Sequence, residues 1–141
     1  PLEIKVQKLV PQAQLPAQAL KGDAGFDLFA LELTELQPGE RAFLKTGLAL
    51  ELPMGYVGLI WDKGGPAKNY GLKVMGGVFD SGYRGEWLIG LVNLGQDAVT
   101  IQPGQKIAQV LFQKVAEPTM IEVTELSTTD RGAGRFGSTG V

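Results

Sequence analysis

Ala42-Phe43-Leu44-Lys45-Thr46-Gly47-Leu48-Ala49-Leu50-Glu51-Leu52 mixes two-residue apolar–polar alternation with short apolar runs, which is a strand pattern and not a helical one. Toward the C-terminus, Tyr56 to Trp61, Trp87 to Asn93 and Lys106 to Lys114 are short, apolar and rich in Val, Ile, Leu and aromatic residues, with Gly, Pro or Asn nearby. Toward the N-terminus, Leu2 to Val6 alternates in the same way. No window holds a sustained 3.6-residue apolar stripe with a cap and a stop; a short helical turn fits only near Ala67 to Tyr70. With Gly at 20 of 141 positions, the pattern predicts an all-β fold, a distorted jelly-roll-like β-barrel or sandwich.

Two strings echo each other. Gln37-Pro38-Gly39 and Gln102-Pro103-Gly104 each follow an apolar residue and precede a strand-like run. Pro presets one φ and Gly permits the positive φ after it, so each string predicts a type II turn. Two unrelated turns explain the echo more simply than a duplication.

The chain has the size of one domain with a real core. Its formal net charge of −2 and lack of any basic run argue against a polynucleotide partner. Apolar stretches are broken within a few residues, so neither a membrane span nor a signal peptide is expected. With Pro1 in first place, a few preceding residues are expected to be missing. The absence of Cys removes disulfides and thiolate chemistry. It fits a cytoplasmic protein, and an exported one as well. The absence of His removes a Ser-His-Asp triad and imidazole metal sites. An enzyme of this composition must use a carboxylate, a Lys, a Tyr or bound water.

Composition changes after Leu126. Arg131-Gly132-Ala133-Gly134-Arg135-Phe136-Gly137-Ser138-Thr139-Gly140 contains four glycines and one large apolar residue, too little apolar surface to offset its ordering entropy unaided. One domain over residues 1–126 and a flexible arm over 127–141 are therefore expected. Arg131, Arg135, Ser138 and Thr139 offer phosphate contacts, and Phe136 offers a ring to stack on a base. A disordered Gly/Ser tail is the alternative.

Four further strings carry chemistry. In Gly76-Gly77-Val78-Phe79-Asp80-Ser81-Gly82-Tyr83-Arg84-Gly85-Glu86, the glycines predict a tight hairpin against a flat ligand. Asp80 is placed there to hold an attacking water, or merely to form an Asp-Ser-Gly turn. Lys63-Gly64-Gly65-Pro66 suggests a phosphate-binding turn without P-loop spacing, or a plain hairpin turn. Asp27, inside an apolar strand, predicts a paired or bound carboxylate. Gln109 interrupts apolar positions, to face a ligand or solvent.

In order and spacing these strings resemble the five motifs of the trimeric dUTPases: AGFDLFA, WDKGGPAKNYG, GGVFDSGYRGE, PGQKIAQ and RGAGRFGSTG. The resemblance runs from about Asp23 to Gly140, and the third and fifth motifs are the most specific. It implies hydrolysis of dUTP to dUMP and pyrophosphate with Mg²⁺, lowering dUTP and supplying dUMP for dTMP synthesis. By the same resemblance Asp80 holds the water as general base, and Tyr83 packs on the deoxyribose, excluding a 2′-hydroxyl. Gly77, Val78 and Phe79 read uracil through their backbone. Lys63, Gly64, Gly65 and Gln109 contact phosphates. Arg131, Gly137, Ser138 and Thr139 close over the terminal phosphate while Phe136 stacks on uracil. Mg²⁺ is held by the phosphates and water, with Asp27 reaching it through water at most. A homotrimer with shared sites is implied.

Two positions depart from the family pattern. Gly64 stands where the family has a serine whose hydroxyl bonds the leaving oxygens, and Arg135 stands where Gly is commoner. Loss of a charge-directed donor costs about 10²–10³ in rate. Gly64 therefore motivates a second reading, a nucleotide-binding protein of this fold with reduced or lost turnover. A dCTP deaminase of the same superfamily is disfavoured by the complete arm, and a zinc deaminase by the missing ligands.

Overall fold

The computed structural model describes residues 1–137 and Gly140. In chain order the elements are β1 (Lys5–Lys8), β2 (Phe26–Phe29), β3 (Thr34–Leu36), β4 (Arg41–Lys45), β5 (Leu48–Glu51), β6 (Tyr56–Trp61), α1 (Gly64–Tyr70), β7 (Leu72–Met75), β8 (Val78–Asp80), β9 (Leu88–Asn93), β10 (Val99–Ile101) and β11 (Lys106–Lys114). They form four antiparallel ladders, β2-β11-β6-β8, β4-β9-β7, β1-β5 and β3-β10. The all-β expectation holds, but among the described residues the ladders do not close into a barrel.

The Ala42–Leu52 stretch shows how one run feeds two ladders. It breaks at Thr46-Gly47, after which β4 lies against β9 and β5 lies against β1. Thr46 Oγ1 donates to Trp87 O at 2.7 Å and accepts from Leu48 N at 3.2 Å, so the buried hydroxyl at the break is satisfied. Leu28, Leu36, Leu48, Leu50, Trp87, Ile89, Leu91, Ile101, Ile107 and Val110 are almost wholly buried in one core shared by the ladders. Burying each such side chain is worth about 1.5–3 kcal/mol.

The Gln-Pro-Gly echo is structural. Gly39 and Gly104 each have φ 83°, and Glu40 N and Gln105 N donate to Gln37 O (2.9 Å) and Gln102 O (3.1 Å). In both turns the last side chain also reaches back, Glu40 Oε1 accepting from Gln37 N and Gln105 Oε1 from Gln102 N. The strands that lead into the turns, β3 and β10, pair with each other. At the end of β9, Asn93 is fully buried. Its Nδ2 donates to Leu36 O (3.0 Å) and Asp97 O (2.8 Å), and its Oδ1 accepts from Gly95 N (2.8 Å).

The last regular strand ends at Lys114, and Val115 N donates to Gly55 O at 2.9 Å. From Ala116 to Leu126 the chain is exposed and carries no strand. The last strand among the described residues thus ends upstream of residue 126. Within that stretch Met120, Ile121 and Leu126 are apolar yet 84%, 77% and 83% exposed.

Candidate active site

β8 is the edge strand of the largest ladder, with Leu59, Gly58 and Val57 of β6 opposite Val78, Phe79 and Asp80. Its outer side is unpaired among the described residues, leaving backbone donors and acceptors available to a ligand. Val78, Phe79, Asp80 and Tyr83 line one shallow cleft of ≈ 200 Å³. The Asp80 carboxylate is exposed. Tyr83 N donates to Asp80 O at 3.2 Å, closing the Asp-Ser-Gly turn, and Arg84 Nη1 caps it by donating to Ser81 O at 2.6 Å. Behind the cleft, Phe79 stacks on buried Trp87 with centroids 4.2 Å apart, and the Tyr83 ring tilts against Phe79 at 5.9 Å.

The hairpin predicted around Gly76-Gly77 does not form. β7 pairs with β9 and β8 with β6, so the two glycines carry the chain from one ladder to another. Both hold left-handed φ, 70° and 109°, which glycine adopts without steric cost. Gly77 O accepts from Ile60 N at 2.8 Å, and a Cβ on Gly77 would lie 3.2 Å from Ile60 O. Gly77 thus makes a close backbone approach to β6 of its own chain.

A second group lies on the same ladder. Asp27 of β2, Gln109 of β11 and Trp61 of β6 are in register across three strands. Asp27 is 3% exposed, and its oxygens face two ammonium groups, Lys63 Nζ at 2.7 Å and Lys106 Nζ at 3.1 Å. Burial pushes the Asp27 carboxyl up, but the Lys63 and Lys106 hydrogen bonds and charges outweigh it and hold the carboxyl below its usual range. The expectation of a paired carboxylate is met. Lys106 was missed, because a lone Lys at a strand start carries no local signal. The ladder slips in register between Lys106 and Ala108, an irregularity of the kind that re-aims a side chain.

Lys63-Gly64-Gly65 is not a hairpin turn. Lys63 is the N-cap of α1, with Gly64 and Gly65 in its first turn and Gly71 closing it in a left-handed conformation, φ 72°. Helical structure thus begins before the Ala67 expected. Asp62, just ahead, accepts from Val74 N at 2.7 Å and pairs with Lys73 at 2.9 Å. The carbonyl of Asp62 accepts from Gln109 Nε2 at 2.8 Å. Gly25 makes room for that amide, since a Cβ there would fall 2.8 Å from Gln109 Cδ. A Cβ on Gly64 would meet nothing within 4 Å.

In the arm, Arg131 Nε donates to Gly134 O at 2.8 Å, and the Arg135 guanidinium sits 4.3 Å from the Phe136 ring centroid. Phe136 is 89% exposed. Gly137 has φ 89°, and Ser138 and Thr139 lie outside the described residues. The structure therefore brings Val78, Phe79, Asp80 and Tyr83 together, and separately Asp27, Lys63 and Gln109. Neither the second group nor Arg131, Phe136 and Gly137 line the Asp80 cleft. Among the described residues, no three His, Cys, Asp or Glu side chains converge to hold a metal.

The all-β scaffold thus carries an edge-strand cleft lined by a carboxylate and a tyrosine ring, and elsewhere on the same sheet a buried carboxylate paired with two lysines. A dUTPase family model matches residues 11–140. Over 144 aligned residues the chain is 42% identical to the deoxyuridine 5′-triphosphate nucleotidohydrolase of Corynebacterium diphtheriae, covering 100% of this chain and 95% of that protein. It is 43% identical to the enzyme of the same name from Nautilia profundicola, covering 99% of each. Among solved structures, a Staphylococcus bacteriophage 80alpha dUTPase mutant with dUpNHpp superposes at TM-score 0.93 with 29% identity, covering 99% of each chain. A point mutant of the dUTPase from phage phi11 of S. aureus, described with a structural Mg(II) ion, superposes at TM-score 0.82 with 28% identity, covering 87% of this chain and 97% of that one. The chain belongs to the dUTPase family.

Proposed function

We infer that the chain hydrolyses dUTP to dUMP and pyrophosphate, withdrawing dUTP and supplying dUMP. The observation that carries this reading is the β8 cleft, where backbone edge, carboxylate and tyrosine ring line one space. Uracil presents acceptor, donor and acceptor along one edge, which complements the alternating N–H and C=O groups of Gly77, Val78 and Phe79. Tyr83 then lies against the deoxyribose, where a 2′-hydroxyl has no room. Asp80 holds a water by hydrogen bond and takes its proton as it attacks the α-phosphorus; the α–β bridging bond breaks and pyrophosphate leaves. Positioning and charge stabilisation supply most of the rate. Lys63, Gly64, Gly65 and Gln109 serve the phosphates, Arg131, Gly137, Ser138 and Thr139 the terminal phosphate, and Phe136 the base.

Mg²⁺ fits this site as a passenger of the substrate. No protein cage converges among the described residues, and each Asp27 oxygen already faces a lysine. The triphosphate oxygens and water would hold Mg²⁺ in the all-oxygen environment suited to it, where it would supply neutralisation of phosphate charge. Asp27 acts chiefly as counter-ion to Lys63 and Lys106, and reaches the metal through water at most.

A homotrimer with shared sites completes the reading. Two observations favour a second copy: the described arm residues do not line the cleft of their own chain, and Met120, Ile121 and Leu126 expose apolar surface with no core to join. No described helix is long and apolar enough to cross a membrane, and a cytoplasmic setting belongs to the same proposal. Pyrophosphate release from dUTP, UTP, dCTP and dTTP by the wild type and by Asp80→Asn tests the activity. Release from dUTP alone, lost by about 10²-fold or more in the variant, supports it; equal turnover by the variant contradicts it.

The missing hydroxyl at Gly64 keeps the binding-protein reading specific. It predicts tight dUTP binding with no product.

A further inference from the structure

The Tyr83 ring is held from behind. Its hydroxyl donates to Glu86 O at 3.0 Å, so the side chain folds back over the three residues that follow it. The space it folds into exists only because residue 85 is glycine. A Cβ on Gly85 would lie against the Tyr83 hydroxyl, 2.7 Å from Cζ and 3.1 Å from Cε1. The backbone around Gly85 has little freedom to yield. Glu86 is tied by its carboxylate to Gly47 N at 2.9 Å, and Trp87 N donates to Leu48 O at 2.8 Å with the indole buried. The ring is the part that can move, since Tyr83 is 43% exposed and opens to solvent. Gly85 does not hold a left-handed φ, so a side chain there meets the ring and not a backbone penalty.

We propose that Gly85 is a positioning residue for sugar discrimination: it lets Tyr83 dock on the Glu86 carbonyl, and that docked ring is what excludes a ribose 2′-hydroxyl. The inference rests on the reading of Tyr83 as the sugar wall. It makes a glycine without ligand contact a determinant of deoxyribonucleotide selection. Phe79, stacked on Trp87, lies beside the Tyr83 ring with centroids 5.9 Å apart.

The test is kcat/KM for dUTP and UTP in Gly85→Ala, with Gly82→Ala as control, because a Cβ at Gly82 meets nothing within 4 Å. Packing against one hydroxyl gives selectivity of about 10², and displacing the ring should remove about tenfold of it, through a fall for dUTP and a rise for UTP. Gly82→Ala should keep the wild-type ratio. Adding Gly85→Ala to Tyr83→Ala should leave the ratio of Tyr83→Ala unchanged, which separates action through the ring from general damage. If Gly85→Ala fails to fold, Tyr83→Phe takes its place, losing the tether to Glu86 O and part of the selectivity. An unchanged ratio in the folded variant, or an equal fall for both nucleotides, overturns the proposal. A wild type inactive on dUTP overturns the functional reading itself.

Discussion

Replacing Asp27 by Asn keeps shape and removes the charge between two ammonium groups. One amide oxygen can still accept from Lys63 or Lys106, but the NH₂ group then faces the other lysine, which loses both its charge partner and its acceptor. Breaking a fully buried pair costs about 3–5 kcal/mol. Here the side chains of Lys63 and Lys106 are 26% and 50% exposed, so water recovers part of the loss. A charge-assisted hydrogen bond is worth about 1.5–3 kcal/mol, and about 2 kcal/mol is therefore expected at neutral pH. The pH dependence follows from the lowered folded-state value. Such a carboxylate contributes stability that is complete above its ordinary unfolded value of 3.8 and that fades as pH falls through the lower folded value. The stability gap between wild type and Asp27→Asn, read by urea unfolding at fixed protein concentration, should be widest at neutral pH and begin to narrow as pH falls below 3.8, closing only below the folded value. Equal stabilities at neutral pH, or a gap that stays constant on acidification while both proteins remain folded, would refute the counter-ion account.

Asn93→Ala leaves Leu36 O, Asp97 O and Gly95 N without their partner and should cost about 2–3 kcal/mol in denaturant unfolding; a neutral change would mean that the knot is not structural. Gly64→Ser should fold normally, since a Cβ there meets nothing within 4 Å. Its kcat on dUTP should rise, by up to about 10²-fold if the hydroxyl serves the leaving oxygens, and an unchanged kcat would show that this donor is not needed. Truncation after Leu126 should leave unfolding unaltered, because the described arm residues do not line the Asp80 cleft of their own chain, and should abolish most turnover, because the proposed phosphate and base contacts go with the arm; turnover retained at the wild-type level would remove the arm from the mechanism.

Local signals carried much of the fold. The strands at Tyr56–Trp61 and Lys106–Lys114 coincide with the apolar runs bounded by turn residues, because burial on a ladder selects β-branched and aromatic side chains. The two Gln-Pro-Gly turns were legible for the same kind of reason, their φ values being demanded by Pro and Gly. Pairing was less legible. Gly76-Gly77 looks like a hairpin turn, yet whether a turn joins two strands of one ladder or crosses between ladders depends on distant partners, here β6 and β9. Met120, Ile121 and Leu126 have the apolar character that normally marks a core, yet they are exposed. At the site, Asp27 announced that it needed a partner and Lys63 was marked for phosphate, but that Lys63 and Lys106 are the two groups that pair with Asp27 emerged only from the fold. Gly85 gave no signal at all, since its role is space for a side chain two residues earlier.

Turnover of dUTP in this cleft, as opposed to mere retention, is the central claim. Purified protein with dUTP and Mg²⁺, followed in parallel for nucleotide binding and for product, tests it directly. The expected result is dUMP and pyrophosphate in equal amounts, with no free phosphate. Saturable binding of dUTP that stays intact would contradict it and make the chain a nucleotide-binding member of the family.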